Sequence, residues 1–195
     1  MRLSYINKEA ATDEVIYQNF QRLLRFRIGD IRDYNAVLEA VRDADVVIHA
    51  AALKQVPTCE YFPSQAVMTN INGPENLVRA VRSNETKVET VVALSTDKAC
   101  KPINVMGMTK AVMERIIIEG NMNTDTRLVG VRYGNVIASR GSVVPLFLDQ
   151  IANGGPVTLT DPNMTRFLLS LNKAVDTVFA AIKGAKRGEL YIPQV

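Results

Sequence analysis

A doubly wound α/β fold is what this sequence predicts, on three observations. Apolar, β-branched runs alternate with segments of helical period, the runs are continuously apolar, and polar residues gather just past their ends. The first run is "LRFRIGD", followed by the helical "DYNAVLEAVRDA" and the second run "DVVIHAAAL". The helical "SQAVMTNINGPENLVRAVRS" leads to "VETVVALST", and "VMGMTKAVMERIIIEGN" to "TRLVGVRYG". Runs without a polar side need cover on both faces, so the strands are expected to lie parallel between two layers of helices. After Gly141 the rhythm loosens into "SVVPLFLDQIANGG", "PVTLTD" and "MTRFLLSLNKAVDTVFAAIKGAK", punctuated by Gly154, Gly155 and Pro156. Residues 1–140 are therefore expected to form the sheet domain, and 141–195 part of a smaller partner region.

Composition narrows the classes of function. With 47% hydrophobic and 22% charged residues in 195, the chain reads as globular, long enough for one sizeable core. A net charge of +3 without a basic cluster argues against nucleic acid and leaves small or anionic ligands open. Cys59, Cys100 and the single His49 show neither metal-ligand spacing nor a disulfide framework, so no metal is expected. A reducing cytoplasm fits this cysteine usage. "MRLSYINKEA" lacks the apolar core of a signal peptide, and no apolar run approaches the roughly 20 residues that cross a bilayer.

In open parallel sheets the ligand sits over the carboxyl ends of the strands. The polar positions fall there: Asp30 after "LRFRIG", Ala50 to Lys54 after "VVIH", Ser95 to Lys98 after "VVAL", and Arg132 to Asn135 after "LVGV". Taken singly, each has a plainer reading as a turn, a cap or small-residue packing. Their joint placement is the stronger signal, and it points to a Rossmann-like sheet. One part is missing, because neither G-x-G-x-x-G nor G-x-x-G-x-x-G follows any strand run, although that turn usually binds the cofactor pyrophosphate. The sequence thus reads as starting near the second strand, with the first strand, glycine turn and first helix upstream of Met1. Loss of a central strand would leave the isolated chain marginally stable.

At "GDIRD", "HAAALKQVPTCE", "TNINGPENL", "STDKACKPINVMGMTK", "RYGNVIASRGSVVPLF" and "DPNMTRFLLSL", from about Arg25 to Tyr191, the chain resembles a known family. These are the extended short-chain dehydrogenase/reductases of bacterial polysaccharide biosynthesis. The resemblance is strongest to the UDP-N-acetylglucosamine 4,6-dehydratases, a group with members named capsule polysaccharide proteins or UDP-glucose 4-epimerases. It implies NAD, rather than NADP, as an internal hydride carrier: hydride leaves sugar C4, water is lost across C5 and C6, and hydride returns to C6. It also implies a UDP-sugar substrate and a homo-oligomer for the full-length protein.

Carried over by motif, Asp30 and Ile31 would meet the adenine side of the cofactor. Ala50, Ala51, Ala52 and Lys54 would line it, with Lys54 also reaching the substrate. Asn70 would support the active-site helix, and Lys110 would hold the nicotinamide ribose. Asn135, Ser139, Arg140, Ser142 and Arg166 would face the nucleotide-sugar. Arginine suits a diphosphate because its planar fork donates paired hydrogen bonds; as isolated residues, Arg140 and Arg166 would read as surface charges.

The family's usual Tyr-x-x-x-Lys is Met106-x-x-x-Lys110 here, a departure shared by part of the dehydratase group. A thioether has no ionisable proton, so Met106 offers packing and a weak acceptor only. Lys110, four residues on, keeps the same helical face. Proton transfer then falls to Thr96, Asp97 and Lys98. Removing the C5 proton needs a base and expelling the C6 hydroxyl an acid; Lys98 is expected to be the base, Asp97 the acid, and Thr96 a hydrogen bond to the C4 oxygen. A 4-epimerase would use the same cofactor and substrate class without a base at C5. A truncated, non-catalytic remnant is the alternative from outside enzymology.

Overall fold

The computed structural model describes residues 22–137, 139 and 142–194. In chain order its elements are α1 (Tyr34–Val41), β1 (Val46–His49), α2 (Val56–Tyr61), α3 (Pro63–Val67), a π-turn (Met68–Asn72), α4 (Gly73–Arg82) and β2 (Thr90–Thr96). A 3-10 turn (Asp97–Ala99), α5 (Val105–Glu119), β3 (Arg127–Tyr133), β4 (Asn135–Val136), α6 (Val143–Ala152), β5 (Leu168–Leu169), α7 (Leu171–Gly184) and β6 (Leu190–Tyr191) follow. β1, β2, β3 and β6 form a parallel sheet in that spatial order, with Val46 opposite Thr90, Ser95 opposite Arg132 and Gly130 opposite Leu190.

Strand alternation sends successive side chains to opposite faces, and each face has its own core. On one side Val91, Ala93 and Leu128 meet Val37, Leu38 and Val41 of α1, Leu77, Val78 and Val81 of α4, and Met113 and Ile117 of α5. On the other, Val92, Val129 and Val131 meet Val178 and Ala181 of α7 and Ala185 just beyond it. Each fully buried aliphatic side chain of this kind contributes on the order of 2 kcal/mol. The doubly wound sheet predicted from the apolar runs is therefore present.

Two expectations need amending. "LRFRIGD" forms no strand: residues 24–30 are exposed and pair with nothing in the sheet, and the edge of β1 away from β2 has no ladder among the described residues. Strand propensity yields a strand only where a neighbour completes the hydrogen bonds. Nor does the chain after residue 140 form a purely separate partner region, because α7 covers the sheet and β6 is its fourth strand. Only β4 and β5 pair outside it, as a short parallel ribbon with Asn135 opposite Leu168.

The long helical run around Asn70 is divided. α3 passes through the π-turn into α4, where Pro74 occupies the first turn. A proline inside a regular helix clashes with the carbonyl four residues back, and a widened turn relieves that crowding while re-aiming nearby side chains. Among the described residues no helix is long and apolar enough to cross a membrane.

Candidate active site

The carboxyl ends of β1, β2 and β3 open onto a cleft of about 470 Å³. Its wall includes Ala50, Ala52, Lys54, Ser95, Thr96, Lys98, Met106, Lys110, Asn135, Ser139 and Ser142. Sequence reasoning placed most of these but gave no role to Tyr133, which lies on the same wall. Burial raises the Tyr133 phenol above its ordinary pKa, so it stays protonated and is no substitute base for the tyrosine absent at position 106.

Asn70 organises the loop that follows β1. Its amide oxygen accepts from the Leu53 N–H at 2.8 Å, and its amide nitrogen donates to the Leu53 carbonyl at 2.9 Å and to the Thr109 hydroxyl at 3.0 Å. The loop that follows β1 is thereby tied to α5. The Asn76 amide likewise holds the Ile31 and Arg32 carbonyls at 3.2 and 3.0 Å, and Ile31 packs where Gly73 leaves no Cβ. Asp30 and Ile31 lie outside the cleft wall. The Arg32 guanidinium, bonded to the Asp30 carboxylate, holds it down to about 2.

Helix α5 begins at Asn104, whose side chain accepts from the Gly107 N–H at 2.8 Å. Met106 is buried against Cys59 and Ala66, which supports packing as its role. Lys110, only 7% exposed, donates from Nζ to the Leu94 carbonyl at 2.6 Å. Burial pushes its pKa down to about 8, against an opposing pull from the Glu114 charge. The turn after β2 sits directly above the helix. A Cβ on Gly107 would come within 2.3 Å of the Lys98 carbonyl oxygen, so only glycine permits this approach.

The turn itself is a compact polar cluster. The Thr96 hydroxyl donates to Asp97 Oδ1 at 2.9 Å, and Lys98 Nζ donates to the same oxygen at 3.1 Å and to Asn135 Oδ1 at 3.2 Å. Lys98 and Thr96 share the cleft with Lys110, whereas Asp97 lines an adjoining, more apolar cavity of about 370 Å³. Asp97 therefore reaches the cleft through Lys98. Asn135, expected to face substrate, also fixes that lysine. Arg166 lies outside the cleft wall, exposed, its guanidinium bonded to the Thr165 carbonyl and the Met164 sulfur. Ala51 is exposed and also off the wall, and Arg140 lies outside the described residues.

A parallel sheet covered on both faces, with a buried lysine and small-residue loops at its carboxyl end, defines the class of the dinucleotide-type α/β proteins. Within that class the chain belongs to the polysaccharide biosynthesis protein family, whose model matches residues 1–195. It is 51% identical over 172 residues to a UDP-glucose 4-epimerase of Rickettsia bellii (strain OSU 85-389), covering 87% of this chain and 50% of that one. The X-ray structure of Pen from Bacillus thuringiensis superposes with a TM-score of 0.84 at 41% identity, over 91% of this chain and 58% of that one. DesIV, a dTDP-glucose 4,6-dehydratase from Streptomyces venezuelae seen as a double mutant with NAD and DAU bound, has the same fold. Its TM-score is 0.80 at 20% identity, covering 92% of this chain and 62% of that one. The chain thus spans about half the length of the curated relatives it matches.

Proposed function

We propose that the protein is an NAD-dependent UDP-N-acetylglucosamine 4,6-dehydratase of bacterial surface polysaccharide biosynthesis. The observation that carries this reading is Lys98, held between Asp97 and Asn135 in the cleft that contains Lys110, with an apolar Met106 at the tyrosine position. The residues present suit the cofactor. Ala50 and Ala52 leave room beside the buried Lys110 amine, and Asn70 fixes the loop they sit on. Lys110 and that loop would hold NAD, which supplies the hydride chemistry by accepting from C4 and returning to C6.

The protein's own residues handle the proton. Lys98 acts as the base at C5, and Thr96 hydrogen-bonds the C4 oxygen. The C4 hydroxyl proton passes through Thr96 to Asp97, which supplies it by way of Lys98 to the departing C6 hydroxyl, and the C5 proton that Lys98 removes goes back to C5 as C6 is reduced, so one water leaves and both residues end as they began. Met106 excludes water and contributes no proton. Lys98→Ala in the full-length protein is expected to abolish loss of water from UDP-N-acetylglucosamine, read by product mass, at least a hundredfold. Normal turnover would reject the assignment.

A second reading, 4-epimerisation, is favoured by the name of the Rickettsia bellii relative. It needs oxidation and re-reduction at C4 alone. Product mass separates the two, because epimerisation leaves the mass unchanged.

A further inference from the structure

Below the cleft lies a buried ionic cluster that the proton chemistry does not use. Glu114 follows Lys110 by one helical turn on α5 and is 5% exposed. Its Oε1 accepts from the Ser95 hydroxyl at 2.5 Å and from Arg132 Nε at 3.1 Å, and its Oε2 accepts from an Arg132 terminal nitrogen at 2.6 Å. Ser95 and Arg132 are themselves partners across β2 and β3. One carboxylate therefore binds the helix that carries Lys110 to both strands that end at the cleft.

We propose that Glu114 is a positioning residue of this site, tying the carboxyl ends of β2 and β3 to α5 and supplying the counter-charge for Lys110. A buried bidentate pair fixes direction as well as distance. Ser95 immediately precedes Thr96, so the same anchor sets where the Thr96–Lys98 turn begins. It also sets the height of Lys110 beneath that turn, because the two residues share a helix.

The surroundings of Lys110 make the electrostatic part specific. His49 faces it from β1 and is neutral at ordinary pH, since burial pushes it down to about 4. The Cys59 thiol on α2 donates to the Leu53 carbonyl. Asp97 and Lys98 pair with each other in the turn above. Arg132 on β3 is spent on Glu114. On α4, Arg79 covers the Tyr34 ring and Arg82 turns to Glu119, while α3 and the π-turn carry no titratable side chain. Glu114 is the charge that opposes the burial of Lys110.

This inference rests on Lys110 being the cofactor-side cation, but its test needs no turnover. Competitive acetylation of Lys110 across pH, read by mass spectrometry in the full-length protein, gives the midpoint at which the amine loses its proton. Glu114→Gln is expected to lower that midpoint by about one pH unit, with roughly tenfold more labelling at pH 6. Arg132→Gln, which removes the guanidinium that competes for Glu114, serves if the single variant does not fold; it is expected to raise the midpoint instead. A folded variant of either kind with an unshifted Lys110 midpoint overturns the proposal, even if the enzyme proves to be a dehydratase.

Discussion

The α5 side of the cleft and the chain between residues 142 and 169 are built in opposite ways. Around α5 nearly every polar group is fixed by another element: Asn70 by Leu53 and Thr109, Lys110 by Leu94, Glu114 by Ser95 and Arg132. Helix α6, by contrast, buries none of its residues, and Leu146, Leu148, Ile151 and Phe167 stand exposed. The guanidinium of Arg166 reaches only Thr165 and Met164 among its bonded partners. The difference teaches that the cleft residues around α5 are preorganised by the sheet, Asn135 among them through Lys98, while Arg166 is held by its neighbours in sequence.

The sharpest way to break that contrast is at Gly107. Alanine is the better helix former by about 1 kcal/mol, so propensity alone predicts stabilisation. Its Cβ would instead lie 2.3 Å from the Lys98 carbonyl oxygen, a backbone atom that cannot swing aside. Gly107→Ala is expected to cost about 4 kcal/mol, at the upper end of overpacking, as measured by urea unfolding. An unchanged midpoint would mean that the turn rides loosely on α5 and that this side of the cleft is no more rigid than the rest.

A second test uses the only histidine in the chain as a probe of the same interior. His49 is 4% exposed and its Nε2 has no partner among the described residues. Burial, with a smaller effect from the Lys110 charge, lowers its pKa from 6.5 to about 4. Above pH 6.5 both folded and unfolded chains hold it neutral, and its full stability is present. As the pH falls from 6.5 through 4 the unfolded chain takes up the proton first, and about 3 kcal/mol is lost. Proton NMR of the single imidazole is expected to titrate near 4, and a midpoint between 6 and 7 would place His49 in contact with water.

What the sequence made legible follows the same division. The alternating runs located the sheet, and "STDK" with "MGMTK" located the cleft, because strand ends and helical spacing are local properties. Glu114 was passed over, and its meeting with the strand-end residues Ser95 and Arg132 with it, because that meeting depends on the register of β2 against β3 and on the rotation of α5, neither of which any single segment encodes. The available signal was a charged residue on an otherwise apolar face, four positions after Lys110. Gly107 escaped for a related reason, since its purpose is visible only when the Lys98 carbonyl is placed above it. The missing strand at "LRFRIGD" is the converse case, a local preference without a paired neighbour.

The smallest expected effect sharpens the contrast from the loose side. Arg166 is exposed and bonded within its own segment, so Arg166→Ala should change stability by no more than about 0.5 kcal/mol, or roughly 1–2 °C in melting temperature. If its guanidinium turns to the substrate diphosphate, the same variant loses a charge-assisted hydrogen bond of about 1.5–3 kcal/mol. UDP binding to the full-length protein, measured by calorimetry, should then weaken tenfold or more while the melting curve stays put. The two readouts separate what Gly107 and His49 cannot. A residue that matters for binding and not for folding belongs to a surface that ligand organises. If UDP affinity is unchanged, Arg166 is a solvated surface charge, and the diphosphate must find its cation elsewhere.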